Sequence, residues 1–177
     1  MPLQLTQRLK ITPASTSKKF LNVKHYKQEQ SNWCWAACCQ MVFDYFGFII
    51  SQCNIANYYF KGQCCKKPSK CNQGLTPSEI SALYNHWSYK YSYQASQIAF
   101  IGIQASIDSN KLIEVALYWK GGGGHVVVVN GWSTGSQDEV YVNDPGYGSG
   151  PGWITYSELE HAYGKGTWGG TWNSLTK

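Results

Sequence analysis

The segment Gln28-Glu29-Gln30-Ser31-Asn32-Trp33-Cys34-Trp35-Ala36-Ala37 sets a cysteine just after helix-capping residues, with a glutamine six positions upstream. A helix N-terminus carries unpaired N–H groups and partial positive charge, which stabilise a thiolate over a thiol. The Gln28 side-chain amide is a donor able to reach back toward the same sulfur. Cys34 is therefore the expected nucleophile, and Gln28 the expected donor to an oxyanion.

A nucleophile needs a base, and the chain supplies one late. Gly121 to Gly124 lead into His125-Val126-Val127-Val128-Val129-Asn130-Gly131, which reads as a flexible loop feeding a buried strand headed by a histidine. A second short strand, Val140 to Asn143, then delivers Asp144-Pro145-Gly146. Strands on either side of the Trp132–Glu139 turn would pair as a hairpin, making His125 and Asp144 neighbours. That is the logic of a catalytic triad: nucleophile, base and orienting carboxylate. His25, His86 and His161 compete for the base role, but none precedes a buried strand that would fix it.

Three blocks, Gln-x5-Cys-Trp-Ala-Ala, Gly-His-x-Val-Val-Val and Asn-Asp-Pro-Gly, occur in that order. In them the chain resembles the papain-like cysteine peptidases, over roughly Val23 to Tyr163. It looks closest to the compact bacterial group that includes plant-pathogen effector proteases. The double-glycine leader peptidases of bacteriocin exporters are similar at greater distance. The resemblance implies Gln28 in the oxyanion hole, Cys34 as nucleophile, His125 as base and Asp144 as orienter. It also implies two half-domains, an N-terminal helical half and a C-terminal antiparallel β half, with the site in the cleft between them. Two departures leave alternatives open. Gln30 is a second glutamine near the cysteine, and Asn143 sits beside Asp144, where some papain relatives use an asparagine.

The elements that must position these residues can be read in turn. Trp35, Cys39, Val42, Phe43 and Phe46 form the apolar stripe of a helix over 33–46, ended by Gly47. Ser51 caps a second helix to about Phe60, closed by Gly62. Thr76-Pro77-Ser78-Glu79 is a capping box with proline at the first helical position, opening a third helix to about Trp87. Alternating Tyr89, Tyr91 and Tyr93 predict a strand. A short helix over 102–109, a strand over 112–118 and a further short helix over 157–161 are also expected. Helices first and strands second is an α+β order. Trp35, beside the nucleophile, is expected either to shield the site or to sit in the core.

The 177 residues suit one domain, taken as 23–177, with 1–22 a polar tail or the remnant of a pro-segment. Eight Trp, thirteen Tyr and sparse charge argue against disorder beyond the ends. The net charge of +5 is spread thinly, so nucleic acid is not an expected partner. No run has the length of a membrane span, and no signal peptide is legible. Without Cys34 six cysteines remain: Cys38, Cys39, Cys53, Cys64, Cys65 and Cys71. An even, clustered remainder predicts up to three disulfides and an oxidising, secreted or exported setting. Disulfides are expected first among the last four, since Cys38 and Cys39 lie on a helix face that packs inward. No Cys-x2-Cys pair is present and the nearest histidine to the last four cysteines is His86, so zinc is not expected.

The expectation is a monomeric cysteine endopeptidase acting on protein or peptide through a Cys34 thioester, with no metal or organic cofactor. A transglutaminase or deamidase would use the same triad on glutamine side chains. A disulfide-stapled binding module would tie up Cys34 and leave His125 idle.

Overall fold

The computed structural model describes residues 16–146 and 150–177. Strand β1 (Lys18–Phe20) is followed by helices α1 (Cys34–Tyr45), α2 (Gln52–Phe60) and α3 (Pro77–His86), with a 3-10 turn at Pro68–Cys71 between the last two. Strand β2 (Lys90–Gln94) and helix α4 (Phe100–Asp108) come next, then strands β3 (Leu112–Trp119), β4 (Gly124–Ser133) and β5 (Glu139–Asn143). Strand β6 (Gly152–Thr155), helix α5 (Tyr156–Glu160) and strand β7 (Gly166–Thr176) complete the order. This is the expected α+β arrangement, helical in the N-terminal half and antiparallel β in the C-terminal half.

Local chemistry explains most boundaries. Helix α1 stops where Gly47 turns left-handed (φ 84°). Gly47 N–H then bonds the Asp44 carbonyl and Phe48 N–H the Phe43 carbonyl, and the Phe43 and Phe48 rings pack at 5.9 Å. This pair of bonds with its apolar contact satisfies carbonyls the helix leaves open. Ser51 caps α2 by accepting from Asn54 N–H. Its far end differs from expectation: Lys61, not Gly62, takes the left-handed position (φ 51°). Thr76 and Glu79 form the capping box of α3, the Glu79 carboxylate accepting from both Thr76 N–H and its hydroxyl.

The sheet runs β2-β7-β3-β4-β5-β6 with every ladder antiparallel. Strand β1 also pairs with β4, beyond the end of β3: β3 covers Gly124–Val129 and β1 covers Gly131–Ser133. Successive side chains on a strand face opposite ways. Val126 to Val129 are nevertheless all buried, so both faces of β4 are covered, and α1 and α4 are helices packed on it. The last strand, β7, lies inside the sheet between β2 and β3.

One expectation needs correction. The segment 1–22 is not all tail: Lys18–Phe20 pair with β4, while Leu21 and Val23 are buried. Leu21 exchanges hydrogen bonds with Asn130, its N–H to the Asn130 carbonyl and its carbonyl from the Asn130 amide. Residues 1–15 lie outside the described residues. The cysteines follow expectation, with the disulfides among the last four. Two disulfides form among the described residues, Cys53–Cys65 and Cys64–Cys71. Cys38 and Cys39 are adjacent on α1 and fully buried, and burial pushes both thiols well above their ordinary range.

Candidate active site

Cys34 is the first residue of α1, so its position is set by where that helix starts. The helix begins without a side-chain cap at Trp33. Ser31 and Asn32, suited to capping by type, bond elsewhere: the Asn32 side chain and backbone N–H both meet Asn72. Trp33 itself is buried, its indole N–H on the Cys71 carbonyl.

His125 is the second residue of β4, and Asp144 follows β5 directly. Asn143 pairs with Val128 in the ladder, which brings Asp144 back beside the start of β4. The His125 Nε2 to Asp144 Oδ1 distance is 2.6 Å. Gly146 N–H donates to the same carboxylate oxygen at 2.8 Å. Asn143 points the other way, its amide on Asn130 Oδ1, because neighbouring residues of a strand face opposite sides. Asn143 is thus turned away from His125. Gln30 is likewise turned to the Glu29 carbonyl.

The electrostatics follow from these contacts. Burial works against a charged His125, but the Asp144 bond and the Cys34 thiol outweigh it and raise the ring to about 9. Burial also works against the Asp144 charge; the His125 bond, its charge, Gly146 N–H and the Tyr163 hydroxyl hold the carboxyl below its usual range. Buried next to that carboxylate, the Tyr163 hydroxyl is pushed up.

Gln28 is buried in the wall of the same cleft. Its Nε2 donates to the carbonyls of Gln30 (2.9 Å) and Ser31 (2.7 Å). The backbone N–H of Gln28 bonds the Pro145 carbonyl, and His25 Nε2 meets the Asp144 carbonyl at 2.8 Å. The stretch before Cys34 is in this way tied to the stretch carrying Asp144. His86 stacks on Tyr58 and His161 bonds the Ser157 carbonyl, and neither lines the cleft that holds Cys34.

Trp119 stacks on the His125 ring at 6.0 Å between centroids. Covering this ring falls to Trp119 rather than to Trp35, which is a core residue bonded to the Gln73 carbonyl. Nothing near Trp119 in sequence marks it except the glycine run. Gly122 and Gly123 take positive φ (90° and 81°), and bonds between Trp119 and residues 122 and 123 close a tight β3–β4 turn. The run that reads as a flexible loop in sequence thus forms a hydrogen-bonded hairpin turn. Tyr163 was also illegible: it lies beyond α5 at positive φ (57°) and reaches Asp144 only through the tertiary fold.

Cys34, His125, Asp144 and Gln28 all line one cleft of about 800 Å³. A smaller apolar arm of about 250 Å³ opens beside Cys34 and His125, walled by Leu75, Pro77, Ile80, Leu117 and Trp172.

Helical half, antiparallel half and a cysteine facing a histidine–aspartate pair across a cleft define a papain-like cysteine peptidase, a hydrolase. The chain belongs to the Peptidase_C39-like family, whose profile matches residues 20–176. Among solved structures it is similar to the peptidase domain of Streptococcus ComA, a bi-functional ABC transporter involved in quorum sensing. Identity is 14%, covering 88% of this chain and 98% of that one, with a TM-score of 0.60. It is also similar to a double-glycine-motif protease from an AMS/PCAT transporter, solved with a leader peptide. That match has 13% identity, 86% and 91% coverage and a TM-score of 0.55. No curated protein matches.

Proposed function

We propose that the protein is an endopeptidase that cuts an extended peptide through a Cys34 acyl-enzyme. The observation that carries this reading is the 2.6 Å His125–Asp144 bond in a cleft shared with Cys34 at the start of α1. His125 takes the Cys34 proton, and the thiolate attacks the scissile carbonyl. The oxyanion is held by the Cys34 backbone N–H and the Gln28 amide, which gives up one of its two carbonyl partners to do so. The imidazolium protonates the leaving amine, and a water activated by His125 releases the product. Asp144 fixes the ring throughout, and no step calls for a metal or organic cofactor. A peptide substrate is supported by the similar protease solved with a leader peptide. The apolar arm beside Cys34 suits an apolar substrate side chain. All four groups come from one chain, in keeping with a monomer. The two disulfides support a secreted or exported protein, acting in an oxidising compartment.

Iodoacetamide at mildly acidic pH followed by peptide mapping tests the nucleophile. One adduct on Cys34, with Cys38 and Cys39 unlabelled, is the expected result. An unreactive Cys34 would sink the reading. Mass analysis of treated proteins separates cleaved backbone from the mass shift on glutamine that a deamidase or transglutaminase would leave.

A further inference from the structure

The loop between the disulfides and α3 touches the segment before the nucleophile at a run of points. Cys71 accepts from the Trp33 indole, and Gln73 accepts from the Trp35 indole. Between them Asn72 makes three bonds. Its Oδ1 accepts from Asn32 N–H at 2.9 Å, its carbonyl accepts from the Asn32 side chain at 3.1 Å, and its Nδ2 donates to Ser31 Oγ at 2.9 Å.

The first of these bonds matters most. Asn32 N–H and the Ser31 carbonyl belong to one peptide unit, which is planar and rigid. The N–H end of that unit is held by Asn72, and the carbonyl end accepts the Gln28 amide at 2.7 Å. Fixing one end fixes the other, and a hydrogen bond at the N–H polarises the carbonyl into a better acceptor. Asn72 itself is placed by its neighbour Cys71, which the disulfide to Cys64 anchors in a buried position.

We propose that Asn72 is a positioning residue for the oxyanion donor, acting on Gln28 through the Ser31–Asn32 peptide unit. The Ser31 carbonyl retains one hydrogen of the Gln28 amide, and the other is then aimed so that it can pass from the Gln30 carbonyl to the oxyanion. Asn72 does not line the cleft, so it touches no substrate. This inference rests on the peptidase reading above.

Two probes separate the oxyanion hole from the nucleophile. Iodoacetamide alkylates the thiolate with no oxyanion in the transition state. A peptide aldehyde adds to Cys34 as a hemithioacetal whose oxygen occupies the hole, and it protects Cys34 from alkylation. In Asn72→Ala the alkylation rate should stay within about twofold of wild type, while aldehyde protection weakens about tenfold, less than the loss from deleting an oxyanion donor outright. Asn72→Asp keeps the acceptor for Asn32 N–H and should restore most of the protection. In a Gln28→Ala background, Asn72→Ala should add no further loss, because it acts through Gln28.

Unchanged protection in Asn72→Ala would overturn the proposal, as would losses that multiply with Gln28→Ala. A parallel fall in both alkylation and protection would show a general structural role instead. An aldehyde that fails to protect the wild type, while Cys34 still alkylates, removes the oxyanion hole and the proposal with it. A wild-type Cys34 that does not alkylate removes the peptidase reading itself.

Discussion

His125 gathers the clearest residue-level consequences. Its ring is raised to about 9, against an ordinary value near 6.5, by Asp144 and Cys34 acting over the opposing effect of burial. Protonation of His125 therefore stabilises the fold fully below about 6.5, and that stability is lost as pH rises through about 9. Asp144, held low, contributes stability above its ordinary range that is lost as pH falls. The alkaline limb of kcat/KM should accordingly lie near 9, where the imidazolium loses its proton. Replacing Asp144 with Asn should lower kcat on the order of a thousandfold or more. It should also move that limb toward neutral pH, since the carboxylate bond is the largest of the contributions that raise the ring, ahead of those from Cys34. A pH–rate profile of wild type and variant reads both effects, and an unmoved limb would show that Asp144 does not set the ring. Trp119 belongs to this scale as well. Aromatic residues beside histidines have many reasons to exist, and only its stacking on the base gives it one here.

Among the elements, the seam between α1, α3 and β3 holds an unusual group. Glu114 sits in the middle of β3 and is fully buried, with the Tyr84 hydroxyl of α3 on one carboxyl oxygen and no partner on the other. Burial raises it to about 8, with the Tyr84 bond pulling the other way. The folded chain thus keeps this proton to higher pH than the unfolded chain does. Stability associated with it is present below about 4.5 and is lost as pH rises to about 8. Glu114→Gln, which keeps the shape and cannot ionise, should raise Tm by a few degrees at about pH 9 and leave it unchanged at about pH 4. Calorimetry across that range checks this, and a uniform shift would point to packing rather than ionisation. The element boundaries near the site follow a simpler logic. Gly47, Ser51 and the Thr76–Glu79 box were readable because caps and left-handed turns depend on residues a few positions apart. Ser31 and Asn32 misled in the same terms: their types suit a cap, but Asn72, forty residues on, claims them.

For the whole molecule, the N-terminal boundary is the feature with the largest consequence. Strand β1 pairs with β4 past the end of β3, and Leu21 and Val23 are buried in the core behind it. A chain starting at Lys24 should lose the burial of both side chains, worth about 1.5–3 kcal/mol each, relative to one starting at Thr16. Urea unfolding of the two forms would show it as a lower midpoint, and equal midpoints would mean that β1 is dispensable. The sequence around Lys18 reads as polar because only a short stretch of backbone is recruited, and its partner lies more than a hundred residues away. That Cys34, His125 and Asp144 come to one cleft was legible because each is announced locally: a helix start after Gln28, a histidine heading a valine run, an aspartate ending a strand. Their α+β order was legible for the same reason, since periodicity is a short-range property. That Asp144 and not Asn143 meets His125, that Gln28 and not Gln30 lines the cleft, how four cysteines pair, and what Trp119, Tyr163 and Asn72 touch all depend on tertiary packing. Each depends on which face of a strand is covered, or on which distant loop comes to rest against the helix start, and no spacing along the chain encodes that.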